Sequence, residues 1–148
     1  MDLKIFRSEL WTAMYKLKVS VQKMVEPAMQ AEGLSVLQGC VLFEIAREPQ
    51  TVGSLSREFD QSQGNISTLC KNLEKSGFIK RERSKDDERV VTLSLDEKGN
   101  QALKNLRIYA DKANNILKEL PKERLEIIIG GIRELENLTG EIGKSLNK

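Results

Sequence analysis

Histidine is absent from this 148-residue chain. That removes Ser-His-Asp and Cys-His nucleophile arrangements, imidazole metal ligands and a histidine pH switch. Cysteine is nearly absent too: Cys40 and Cys70 stand alone, with no CxxC pair and no soft ligands beside them. Each reads either as a buried helix residue or as a redox-sensing thiol. Two scattered thiols without a secretory signal suit a reducing, cytoplasmic setting. The opening Met1-Asp2-Leu3-Lys4 carries charge where a signal peptide would be apolar. No apolar run approaches the ~20 residues of a membrane span, so no membrane partner is expected. Aromatic residues make up only 5% of the chain. Charge of one sign is lacking as well: 24 bases stand against 22 acids, a net +2. A nucleic-acid partner would therefore have to be held by local charge. With no glycine-rich phosphate loop, metal cluster or activated nucleophile, no enzyme activity, metal or cofactor is expected.

What is present is mostly helix. Leu3, Phe6, Leu10, Met14, Leu17, Val21 and Met24 recur at steps of three and four, which predicts a long first helix, interrupted by Pro27 and Gly33. Ser35 suits the N-cap of a second helix ending near Arg47, stopped by Pro49. A short helix over about 52–59 follows, then a polar turn at Asp60 to Ser62, then a helix from about Gln63 to Ser76 closed by Gly77. The period then changes to two. Val91, Leu93 and Leu95 alternate with Thr92 and Ser94, a strand with one buried face, and Phe78 to Arg83 is its partner. Asp96 is placed to cap the next helix. There Leu103, Leu106, Ala110, Ala113, Leu117 and Leu120 form a near-heptad stripe. Pro121 suits the first turn of a last helix whose apolar face is Leu125, Ile128, Ile132, Leu135, Leu138, Ile142 and Leu146.

Three helices and a hairpin across Ser35 to Leu95 make a winged helix-turn-helix. The expected fold class is mainly α with a small β-hairpin wing, plus a helical dimerisation region. Its parts would be an N-terminal helix (1–32), a DNA-binding domain (33–96) and C-terminal helices (97–148). In such motifs the second short helix lies in the major groove. Opposite Ile66, Leu69 and Leu73, a helical wheel places Gly64, Ser67, Thr68, Lys71 and Lys75, with Gln63, Asn65 and Asn72 flanking. Hydroxyls and amides can donate and accept at base edges, and Lys can meet guanine or phosphate. Ser62 begins this reading region, and Gly64 would let the helix start approach a backbone closely. Lys71 to Lys85 holds six bases (Lys71, Lys75, Lys80, Arg81, Arg83, Lys85) and two acids (Glu74, Glu82). At the hairpin tip Arg89 can enter a minor groove, and Asp87 can accept from it and fix its direction.

These segments resemble the MarR family of bacterial regulators over nearly the whole chain. The residues are GLSVLQGCVLFEIA (33–46), TVGSLSREFDQSQGNISTLCKNLEKSGFIKRERS (51–84) and DERVVTLSLDEKG (87–99), with its Asp-x-Arg wing. The resemblance implies a homodimer with interdigitated terminal helices, a pseudo-palindromic operator in double-stranded DNA, commonly repression, and release by a small phenolic or anionic effector. By position, Asp87 and Arg89 match the wing pair, and Ser62 to Lys71 match the reading region. Two positions depart from the pattern: Asp96 where Thr is common, and Glu88 where a base is frequent. The first helix also lacks the cysteine of the family's peroxide sensors.

Three amphipathic helices flank a segment that can fold without them, so their stripes need a partner, and a second copy is the economical one. A twofold dimer would set its reading helices about one DNA turn apart, ~34 Å. For an effector, Trp11, Tyr15 and Phe43 could line an apolar cleft near the helix junction, or be core. The competing reading is a winged helix used for protein–protein interaction, which would expose an apolar or acidic face on the 63–76 helix.

Overall fold

The computed structural model describes residues 2–83 and 90–146. Eight elements follow in order: α1 (Leu3–Ala31), α2 (Val36–Arg47), α3 (Val52–Glu58), α4 (Gln63–Lys75), β1 (Ile79–Arg83), β2 (Val91–Leu95), α5 (Glu97–Leu117) and α6 (Lys122–Leu146). The chain divides into two compact units, Met1–Ile108 and Tyr109–Lys148.

Local chemistry sets most boundaries in the first unit. Asp2 caps α1 through the Lys4 N–H at 2.7 Å. The expected break at Pro27 does not occur: Pro27 sits inside α1. Proline removes one donor and its φ is already helical, so near the helix end a well-packed turn absorbs the loss. The helix ends four residues later, where Gly33 takes φ +72°. The Gly33 and Leu34 N–H groups close back on the carbonyls of Gln30 and Met29, each at 2.9 Å. Ser35 and Gln38 form a reciprocal capping box at the start of α2, and Thr51 and Ser54 form another at the start of α3.

The core lies where α2, α3, α4, the hairpin and the start of α5 meet. Val41, Leu42, Leu55, Ile66, Cys70, Leu73, Ile79 and Leu93 are its largest fully buried members. Met29 brings the end of α1 onto it, with its sulfur resting over Gly39. β1 and β2 pair antiparallel with Ile79 opposite Leu95 and Arg83 opposite Val91. Gln50 adds a bridge to Leu93 on the other edge of β2, exchanging bonds of 3.2 and 2.6 Å. Of the three β2 residues expected inside, Leu93 is buried, Leu95 partly so and Val91 exposed. Val91 pairs with Arg83 at the far end of the hairpin, past the reach of the core.

α5 begins where expected. The Asp96 carboxylate accepts from the Glu97 N–H at 2.8 Å, and the Asp96 N–H donates to the Phe78 carbonyl at 3.0 Å. Gly99 is buried against that same carbonyl, and Lys98 lies over the Phe78 ring at 4.3 Å. The near-heptad stripe of α5 is split by this arrangement. Leu103 and Leu106 are buried, whereas Ala110, Ala113 and Leu117 are exposed.

The second unit contains the end of α5 and all of α6. Pro121 lies just before α6, its carbonyl accepting the first helical bonds from Arg124 and Leu125. No described residue of this unit is buried. On α6, Leu125, Leu135 and Leu138 are half-buried, and Ile128, Ile132, Ile142 and Leu146 are exposed. No helix among the described residues is long and apolar enough to cross a membrane.

Candidate functional site

The site is built on α4. α3 ends at Phe59, and Asp60 takes φ +48°, a left-handed conformation that a short Asp side chain tolerates. The turn is tied by the Gln61 N–H to the Ser56 carbonyl at 3.0 Å and by the Ser56 hydroxyl to the Gln61 carbonyl at 2.5 Å. Ser62 then caps α4 by accepting from the Asn65 N–H at 3.2 Å. Ile66, Cys70 and Leu73 are buried and Leu69 is half-buried, which fixes the roll of the helix.

That roll turns the polar face outward. Ser62, Gln63, Gly64, Asn65, Thr68, Lys71, Asn72 and Lys75 are exposed, and Ser67 is half-buried. No acid stands between Ser62 and Asn72. A side chain at Gly64 would meet only open space, with the Ser62 hydroxyl 4.0 Å away. Nothing in the chain's own packing requires glycine there.

The basic cluster is smaller than the sequence suggests. Arg81 turns back onto α4, its Nε donating to Glu74 at 2.9 Å. Lys80 pairs with Glu82 at 2.6 Å, and that hydrogen bond holds its ammonium above the usual lysine range. Lys71 and Lys75 remain exposed on α4, and Arg83 is exposed at the end of β1. The hairpin-tip residues Lys85, Asp87 and Arg89 lie outside the described residues. The Glu74–Arg81 pair is missed by sequence reasoning, because it joins a helix to a strand across a turn and no helical or strand period links the two positions.

The three residues considered for an effector lie on two elements. Trp11 and Tyr15 are 65% and 69% exposed on α1. Phe43 is half-buried on α2, packed against the core. An open cleft of about 920 Å³ has a different, polar lining: Gly77, Asp96, Glu97, Lys98, Asn100, Gln101 and Lys104. Burial pushes the thiols of both Cys40 and Cys70 above their ordinary value of 9.0. That is the opposite of what activates a sensing thiolate. Among the described residues no group of His, Cys, Asp or Glu could hold a metal.

Residues 23–106 match the family model described as "Transcriptional regulator SarA/Rot". Among curated proteins, the chain is 27% identical over 94 residues to the Bacillus subtilis HTH-type transcriptional regulator YcgE. That alignment covers 63% of this chain and 61% of YcgE, so the match spans less than two thirds of that relative's length. Two solved structures share the fold over most of both chains. Staphylococcus aureus MarR, in complex with salicylate and kanamycin, superposes with a TM-score of 0.77 at 17% identity, over 93% of this chain and 94% of that one. Streptococcus pneumoniae FabT, in complex with DNA, superposes with a TM-score of 0.70 at 23% identity, over 90% of this chain and 99% of that one.

Proposed function

Because the chain belongs to the SarA/Rot family of transcriptional regulators and has the MarR-type winged-helix fold, we propose that it binds double-stranded DNA sequence-specifically as a homodimer, and acts as a repressor released by a small effector. The observation that carries this reading is the outward face of α4. It is polar and free of acid from Ser62 to Asn72, and it carries a glycine that the fold does not need.

In this reading α4 enters the major groove. Gln63, Asn65, Ser67 and Thr68 meet base edges, where amides and hydroxyls can both donate and accept. Lys71, Lys75 and Arg83 neutralise flanking phosphates. The first N–H groups of α4 suit a phosphate, and Gly64 lets it come near. Lys85, Asp87 and Arg89 would form the wing contact, with Arg89 in the minor groove.

A second copy is supported by the apolar surface left uncovered. Ile127 is 74% exposed and Leu3 82% exposed, and no described residue of the second unit is buried. Large apolar side chains left exposed along a helix mark association sites. Segments 1–32 and 97–148 would supply that interface, and 33–96 the DNA contact. The operator would be pseudo-palindromic, its half-sites about one helical turn, ~34 Å, apart. A small aromatic or anionic effector would bind near Trp11, Tyr15 and Phe43 and release the DNA. The protein would work in the cytoplasm, without a cofactor.

The test is selection of genomic fragments on the purified chain, followed by titration of a recovered duplex across a salt series. Phosphate contacts predict a log–log slope of about −0.9 for each one made. A slope near zero would count against the reading.

A further inference from the structure

We infer that Glu74 and Arg81 form a positioning pair that holds the wing at a fixed angle to the reading helix, an inference that rests on the DNA-binding reading above. α4 and β1 are joined only by Ser76, Gly77 and Phe78. The base of this turn is closed by backbone bonds, Gly77 N–H to the Glu74 carbonyl and Phe78 N–H to the Leu73 carbonyl, each 2.9 Å. The chain turns at Gly77, whose φ of +77° glycine adopts without the steric cost a side chain would bring. The strand leaves α4 through this turn, with Phe78 and Ile79 buried at its start and the rest of β1 running outward. One described side-chain ion pair spans it: Arg81 Nε to Glu74 Oε2 at 2.9 Å.

The pair draws Arg81 inward onto a glutamate that is itself 40% exposed. Arg81 lies mid-strand, opposite Leu93. Its side chain is 29% exposed, and its Nη2 is buried without a hydrogen-bond partner among the described residues. Leaving a guanidinium nitrogen unpaired is costly, and an arginine drawn inward is lost to phosphate binding. A second described pair on the hairpin, Lys80–Glu82, joins two residues of one strand. Arg83 lies two residues beyond Arg81 on the same face of β1, is exposed, and stands at the root of the hairpin tip. Fixing Arg81 to α4 thus sets where Arg83 falls relative to the groove that α4 would occupy.

The sign of one substitution separates this role from simple electrostatics. Glu74→Gln removes an acid beside a DNA-binding surface and frees an arginine. If Arg81 were a phosphate contact restrained by Glu74, the variant would bind DNA more tightly. If the pair positions the wing, it binds more weakly in spite of the added positive charge. The expected loss is about fivefold, close to the most that a partly exposed pair supplies. Arg81→Gln should also weaken binding. The double variant should be no weaker than Arg81→Gln alone, because the two side chains act as one unit.

The experiment is fluorescence-anisotropy titration of full-length wild type and the three variants against one duplex selected with the wild-type chain. Melting temperatures are recorded alongside, and Glu74→Gln alone decides the matter if Arg81→Gln does not fold. Equal or tighter binding by Glu74→Gln, or additive losses in the double variant, overturns the positioning role and leaves DNA binding standing. A wild-type chain that retains no duplex overturns both readings.

Discussion

Two glycines in the first turns of two helices should respond to the same substitution in opposite directions. Gly99 lies near the start of α5, and a Cβ there would fall on the Phe78 carbonyl oxygen, 3.0 Å from its carbon and 3.3 Å from Leu95 Cδ2. The obstacle is backbone, and that carbonyl already accepts the Asp96 N–H at 3.0 Å. Gly99→Ala gains up to about 1 kcal/mol of helix propensity. Against this, overpacking costs about 1–3 kcal/mol, and disturbing the Asp96 bond costs about 1 kcal/mol more. The clash wins by about 1–3 kcal/mol. For a chain of this size, about 2 kcal/mol lowers the melting temperature by roughly 4–8 °C. Gly64→Ala has no such obstacle, the Ser62 hydroxyl being 4.0 Å away, so propensity alone acts and melting is unchanged or raised. The same variant should bind a selected duplex more weakly, because the added methyl occupies space proposed for the phosphate backbone. Melting followed by circular dichroism at one fixed protein concentration compares the three chains. If Gly99→Ala melts with or above wild type, the seating of α5 on Phe78 is wrong. If Gly64→Ala binds DNA unchanged, the use assigned to that glycine is wrong.

Other predictions follow from exposure and charge. Ile132→Asp places a charge on the apolar face of α6, and sedimentation should show the particle mass halved and DNA binding lost; an unchanged mass would count against α6 as the interface. Burial raises the thiol of Cys70, so the folded chain keeps that proton to higher pH than the unfolded one. Stability from this source is intact below the ordinary value of 9.0 and falls as pH rises through it. The drop in melting temperature between about pH 8 and 10 should therefore be shallower in Cys70→Ala than in wild type. A thiol reagent at about pH 8 should label Cys40 slowly and leave native Cys70 unmodified, and fast labelling of Cys70 would contradict its burial.

Much of the fold was legible because short-range chemistry sets it. Ser35, Thr51 and Ser62 are cap residues, and each begins its helix where capping places it. The outward set on α4 follows from period alone once Ile66 and Leu73 are known to face in. The sequence reading was weaker where tertiary context decides. Pro27 reads as a break, but the packed end of α1 carries it. Val91 reads as buried, but the hairpin outruns the core. The stripes on α5 and α6 are real, yet a stripe does not say whether its cover comes from the same chain or another. Within the site, residue counting could not see that Arg81 is spent on Glu74 and Lys80 on Glu82. Strand direction across the Gly77 turn decides the first pairing, and no periodic rule carries it, whereas Lys80 and Glu82 share a face of one strand.

The central claim is that the outer face of α4 meets DNA, and Thr68→Glu tests it with little disturbance to the fold. Thr68 is exposed mid-helix, and Glu is the better helix former, so melting should hold or rise. A carboxylate placed against a duplex is repelled by it and desolvated, so binding to a selected duplex should weaken by at least about tenfold in an anisotropy titration. Undiminished affinity in a Thr68→Glu chain that melts like wild type would show that DNA, if bound, is bound elsewhere.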